Sequence, residues 1–202
     1  CYKIRQVTVK DLDHWLNIEF ETYGDESYMK ADSNPLYQFS GDESDRVLTD
    51  ETGKPFESIT IPEGTTKIGP YAFAGITCLK EVCIPKGVEI IDDYSFAQCT
   101  SLERITMGEG LKEIGFQAFV YCKSLKEIAF PSSLKKIEAH AFGGGGSDWQ
   151  CDNIEKIFIA DMDSWLNIDF KDHPSYASPK ARLYDMDGNQ ITTSIKIPEG
   201  TT

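Results

Sequence analysis

The chain has 202 residues, 40% of them hydrophobic, and a net charge of -13 from 33 acidic and 20 basic residues. Length and apolar content suffice for one sizeable core or a run of stacked units. The acidic balance repels phosphate and anionic lipid and argues against nucleic-acid binding; no stretch reaches the roughly 20 apolar residues of a membrane span, and no charged-then-apolar start marks a signal peptide.

The first expected elements are a strand at Val7 to Val9 and a short helix in DLDHWLNIEF, residues 11–20. Asp11 is placed to cap that helix, Asp13 falls in its first turn, where a carboxylate suits the helix dipole, and Leu12, Trp15 and Leu16 share one face. Asn17 suits the helix end, and I-x-F then alternates like a strand. The block returns 150 residues later as DMDSWLNIDF, residues 161–170, differing only at Leu/Met, His/Ser and Glu/Asp. Its upstream strand returns with it, Ile157 and Ile159 matching Val7 and Val9. Both Trp residues are expected to face the core, and the exchange of His14 for Ser164 argues against a ligand or base there. An acidic stretch over residues 21–58 follows, containing NPLY, and reads as a solvated loop rather than a loose Ca2+ site.

From Ile59 a 23-residue period takes over. Ile59, Val82, Ile105 and Ile128 are spaced by 23, as are Ile61, Ile84, Met107 and Phe130, then Ile68, Ile91, Ile114 and Ile137, and Phe73, Phe96, Phe119 and Phe142. A unit with an I-x-I strand, a Pro or Gly turn and a second apolar segment cannot bury its hydrophobic side alone, so copies must stack, strands parallel. The register slips by six residues at GGGGSDWQ, expected to be a surface loop, before Cys151, Ile154, Ile157 and Ile159 resume it. Cys1, Cys99, Cys122 and Cys151 each stand three residues before an apolar position, and Ile76 holds the same slot in another unit. A slot that accepts Ile or Cys is a small buried hydrophobe, so these four thiols are expected as core rungs rather than disulfides or metal ligands. Cys78 and Cys83 lie off the rung, Cys83 at an outward strand position.

This pattern, with IPEG, AFAGITCL, SFAQCTSL and AFVYCKSL, resembles the BspA-like leucine-rich repeats of cell-surface proteins, closely over residues 59–142 and partially elsewhere. The resemblance implies an α/β repeat solenoid of the leucine-rich-repeat type, right-handed, with a parallel sheet on the concave face and short helical or 3-10 turns opposite. It also implies an extracellular or cell-surface location and adhesion or protein binding, and it brings no catalytic residues. All of residues 1–202 are expected to form one solenoid, with regular units at about 59–142 and longer variant units at 1–58 and 143–202, as part of a longer array lacking its caps.

LYDMDGNQITTSIKIPEGTT (183–202) matches VLTDETGKPFESITIPEGTT (47–66) by position, so both variant units are expected to end in a hairpin-like segment. DMDGN within it is similar to the start of an EF-hand loop, but its Gly comes two positions early and Lys196 stands where the bidentate Glu belongs; a turn is expected. His14, His140 and His173 have no partner at catalytic or metal-binding spacing, so neither an enzyme nor a cofactor or metal site is expected.

The outward strand positions carry the site expectation. One column reads Lys80, Glu103, Lys126, Glu155 and its neighbour Glu81, Arg104, Glu127, Lys156, signs alternating from strand to strand. This charged face, with Phe158 as an exposed anchor, is the candidate binding surface for a protein ligand, such as a host or neighbouring-cell surface protein. A carbohydrate-binding or anchoring array attached to a secreted hydrolase is the alternative, and a structural stalk a third reading.

Overall fold

The computed structural model describes residues 6–16, 47–143, 151, 153–171 and 181–192. Cys1, Ile4, Asn17, the I-x-F after it, residues 21–46, most of the Gly-rich insertion, His173 and the second IPEGTT lie outside the described residues.

Each regular unit contributes two strands, one to each of two parallel sheets. The first sheet takes β3 (Ser58–Thr60), β5 (Glu81–Ile84), β7 (Arg104–Met107), β9 (Glu127–Phe130), β11 (Lys156–Ile159) and β13 (Arg182–Tyr184), neighbouring in that order. The second takes β4 (Lys67–Ile68), β6 (Ile90–Ile91), β8 (Glu113–Ile114), β10 (Lys136–Ile137) and β12 (Asp169–Phe170). A separate pair joins β1 (Gln6–Thr8) to β2 (Val47–Thr49), also in parallel. The helices α1 (Leu12–Leu16) and α2 (Met162–Leu166) occur in the variant units.

The strand register follows the sequence period. Glu81, Arg104 and Glu127 are Cα partners in succession, and Lys156 pairs with Glu127 across 29 residues, the regular 23 plus the six-residue slip. The buried-exposed alternation of β5, β7 and β9 puts Val82, Ile105 and Ile128 inside with Ile84, Met107 and Phe130. Phe73, Phe96, Phe119 and Phe142 form one parallel ring stack with centroids 5.1–5.3 Å apart. One hydrophobic cluster runs from Trp15 through these columns to Ile168.

The second sheet goes beyond the expectation of turns alone opposite the first. Four of its two-residue strands end on the Ile68, Ile91, Ile114 and Ile137 column already visible in the period, but two residues are too few to show the alternation that marks a strand. Between the sheets, backbone amides alternate their partners: Phe73, Gly75, Phe96 and Gln98 donate to the next unit, while Ala72, Ala74, Ser95 and Ala97 donate three residues back. This satisfies the backbone without a helix. It also sets Tyr71, Tyr94, Gln117 and His140, one per unit, at φ of 51–58°. At Tyr71, Tyr94 and Gln117 these left-handed positions are enforced by the stack, since Tyr and Gln have no intrinsic preference for them.

The thiol rung is present as expected. Cys99, Cys122 and Cys151 are buried, and their Sγ–H groups donate to the carbonyls of Phe73, Phe96 and Phe119 at 3.1, 3.2 and 3.2 Å. Cys78 is half-buried with its thiol 3.8 Å from the Phe56 carbonyl, and Cys83 faces outward between Thr60 and Thr106.

Two expectations about the variant units need correction. Trp15 is 1% exposed and Trp165, though half-buried, also packs on the core against Phe130 and Phe170, but Leu166 is 61% exposed, so the apolar face read for α2 is only partly covered. The hairpin segments are offset by 135 residues, not the 136 of the sequence match: Asp50, Gly53 and Phe56 play the parts of Asp185, Gly188 and Ile191. A one-residue insertion after Ile191 restores the IPEGTT alignment, which the longer identity had imposed throughout.

Candidate binding face

Alternation fixes which side chains reach solvent on the first sheet. Residues just before and at the start of each long strand, unlike the two Ile-type positions after them, point away from the core. Lys80, Glu103, Lys126 and Glu155 thus form one column and Glu81, Arg104, Glu127 and Lys156 the next, in the register expected. All eight lie on one face; seven of them, Lys156 excepted, line an open hollow of about 390 Å³.

Charges pair along the columns. Lys126 lies 3.8 Å from Glu103, Arg104 2.9 Å from Glu127 and Lys156 3.0 Å from Glu127. Lys80 pairs with Glu57 at 2.8 Å, extending the first column by a residue that the sequence pattern places in the acidic stretch. Hydrogen bonding to Lys156, with the Arg104 charge nearby, lowers the Glu127 pKa despite partial burial, and the same bond raises that of Lys156. Such exposed pairs contribute about 0–1 kcal/mol each, so they define register and pattern more than stability.

Phe158 departs from its expected role. It shares the outward column with Ala129 and Tyr184, but it is half-buried, its ring 5.6 Å from that of Tyr184 and inclined at 37°. A neighbouring strand's aromatic covers it, which single-strand alternation could not foresee. The second sheet carries its own ion pairs, unnoticed in the sequence because its strands were not: Lys67 to Asp92 at 2.5 Å, Lys112 to Glu89 at 2.8 Å and Lys136 to Glu113 at 3.0 Å.

DMDGN is the turn expected. Oδ1 of Asp185 accepts the backbone amides of Asp187 and Asn189 at 3.0 and 2.8 Å and Oδ2 the Asn189 side-chain amide at 3.0 Å, while Oδ1 of Asp50 likewise accepts the amides of Thr52 and Lys54, so these carboxylates serve to close the turn. Asp161 likewise caps α2, accepting the Ser164 amide at 2.7 Å. Among the described residues, no cluster of His, Cys, Asp and Glu is arranged to hold a metal ion, and no helix is long and apolar enough to cross a membrane.

A stack of 23-residue coils with a parallel, charge-laddered sheet on one side defines a leucine-rich-repeat solenoid. The model of the BspA-type leucine rich repeat region, in six copies, matches residues 52–171. The chain therefore belongs to the BspA-type leucine-rich-repeat family. Among solved structures it is similar to a leucine-rich-repeat protein of T. pallidum (25% identity, 64% of this chain and 51% of that one, TM-score 0.46). It is also similar to a leucine-rich cell surface protein of Faecalibacterium prausnitzii (26%, 58% and 35%, 0.43) and a leucine-rich-repeat protein of Bacteroides ovatus (19%, 71% and 46%, 0.43). The chain spans about half the length of the first of these, and less of the other two. No functionally curated protein matches the sequence.

Proposed function

We propose that the chain is a non-enzymatic leucine-rich-repeat protein of the cell surface or extracellular space that binds a protein ligand through its first sheet, in adhesion to a host or neighbouring cell. One observation carries this reading: two solvent-facing columns of alternating charge, held in register over the hollow. Their backbone is fully engaged in the sheet, so the side chains can vary without cost to the core, as a docking surface requires. A protein surface of complementary charge gains specificity and encounter rate from such a pattern. The sugar-binding alternative asks for flat, exposed aromatic platforms; Phe158 and Tyr184 are half-buried and mutually inclined.

The test is recovery of surface proteins from host-cell extract with the parent chain and with Glu103→Lys, Arg104→Glu, Lys126→Glu and Glu127→Lys combined. This variant keeps the Glu103–Lys126 and Arg104–Glu127 pairs with signs exchanged and gives up the partly exposed Lys156–Glu127 pair, a contact of about 0–1 kcal/mol, so the fold should persist while the pattern inverts. Loss of the recovered partner is expected. Equal recovery would remove this face from consideration.

A further inference from the structure

The charged face is not uniform along the stack. Its third outward column runs Thr60, Cys83, Thr106, Ala129, Phe158, Tyr184, consecutive partners in the strand register. Four small side chains are followed by two aromatic ones, so the surface steps up between β9 and β11. A second hollow of about 160 Å³ lies at that step, bounded by Thr106 and Ala129, by Phe158, and by Arg104 and Glu127 alongside. It offers apolar contact in a face otherwise lined by charge.

The alternation of charge breaks one strand further on, between β11 and β13. Glu81, Arg104, Glu127 and Lys156 alternate, but the next register partner of Lys156 is Arg182, a like charge. Glu127 is also shared by two cations, Arg104 at 2.9 Å and Lys156 at 3.0 Å. In a chain of net charge -13, the second column therefore ends with three cations, Arg104, Lys156 and Arg182, to one carboxylate, Glu127, with Glu155 beside it in the first column.

Resting on the docking role proposed above, we infer that the step between Ala129 and Phe158 is the anchor point of the face. It takes a leucine-, methionine- or phenylalanine-type side chain from a protein segment in which that residue is flanked by carboxylates. The apolar side chain fills the hollow against Phe158, and the flanking acids meet Arg104, Lys156 and Arg182. Apolar anchors in a pocket with charged surroundings are how interfaces concentrate affinity, and opposite charge at the rim speeds and orients the encounter.

The test uses a displayed library of random peptides about a dozen residues long, selected on the immobilised parent chain, with the enriched peptides titrated by fluorescence anisotropy. Enrichment of acidic peptides carrying a central large apolar residue is expected. Ala129→Phe, which fills the hollow from an outward position, and Arg182→Glu should each weaken them about ten-fold or more. Lys112→Glu, an exposed charge on the second sheet and away from the proposed face, should leave them unchanged. Unaltered far-UV circular dichroism and melting of the variants keep loss of binding from being loss of fold. Enrichment of basic or uncharged peptides, no enrichment, or peptides that bind Ala129→Phe and Arg182→Glu as well as the parent would overturn the inference. If such peptides still lose binding to the Glu103, Arg104, Lys126 and Glu127 reversal, only the anchor is misplaced and the docking face stands. If they bind every variant equally, both fall.

Discussion

Trp15 sits where the backbone ladder of the regular units changes hands. The carbonyls of Ser95 and Ala118 accept the amides of Phe73 and Phe96 from the unit before. The equivalent carbonyl of Ala72 faces a variant unit, and there the Trp15 indole N–H donates to it at 2.6 Å. Trp15→Phe keeps the ring but leaves a buried acceptor without that donor, at an expected cost of about 1–3 kcal/mol. Trp165→Phe, at a half-buried site, should cost less than about 1 kcal/mol. Urea midpoints measure the contrast, and equal losses would contradict the role given to the indole. Asp93 offers a second residue-scale test. Burial raises its pKa above the ordinary 3.8, aided by the charges of Asp92, Glu138 and Glu113 and opposed by the Phe116 amide that its carboxylate accepts. The folded state therefore holds the proton to higher pH than the unfolded chain, and stability from this group falls as pH rises through that window. Asp93→Asn, which can still accept the Phe116 amide, should melt above the parent at neutral pH, with the gap closing below pH 3.8. A gap that does not vary with pH would refute the assignment.

The coil as an element has a tight corner after each sheet, at Gly108 behind the first and at Gly115 where the second meets the turn. Gly115 follows β8, and a Cβ there would lie 2.6 Å from the Asp93 amide nitrogen and 2.7 Å from the Asp92 carbonyl carbon of the unit before. Gly69 holds the same position two units earlier, with nothing within 4 Å of its Cβ. Gly115→Ala should thus destabilise by about 1–3 kcal/mol, whereas Gly69→Ala should be neutral or gain up to about 1 kcal/mol from lost unfolded-state entropy. Thermal melts of the two variants decide it, and a matching sign would contradict the close approach. At this scale the sequence is readable where a residue type recurs at fixed spacing. Cys99, Cys122 and Cys151 announce a buried rung because Ile76 shares their slot, and Asp161 announces its cap. The positive φ of Tyr94 or Gln117 has no such signal, because it is imposed by amides reaching into the next unit. The short strands of the second sheet are hidden for a related reason: their Ile68, Ile91, Ile114 and Ile137 recur with the period, but two residues per strand cannot display alternation.

Across the molecule, long-range pairing is legible because the period converts spacing directly into contact. The six-residue slip after Phe142 is enough, from spacing alone, to place Lys156 opposite Glu127. What escapes is anything set by a neighbour rather than by the unit itself, as when Tyr184 covers Phe158 or Leu166 is left in water. The same neighbour dependence gives the thiol rung a further meaning. Burial pushes the Cys99 and Cys122 thiols upward in pKa, and the thiolate is the form that alkylating reagents attack. Iodoacetamide followed by peptide mass mapping should mark outward-facing Cys83 readily in the native chain, with Cys99, Cys122 and Cys151 modified only as adjacent coils part. Native-state modification of the three at the rate of Cys83 would contradict their burial. Gly115→Ala, placed between the Cys99 and Cys122 coils, should hasten labelling at both if opening is transmitted from coil to coil. The protein thus carries chemical gauges inside its core, each reading how often one joint of the stack comes open.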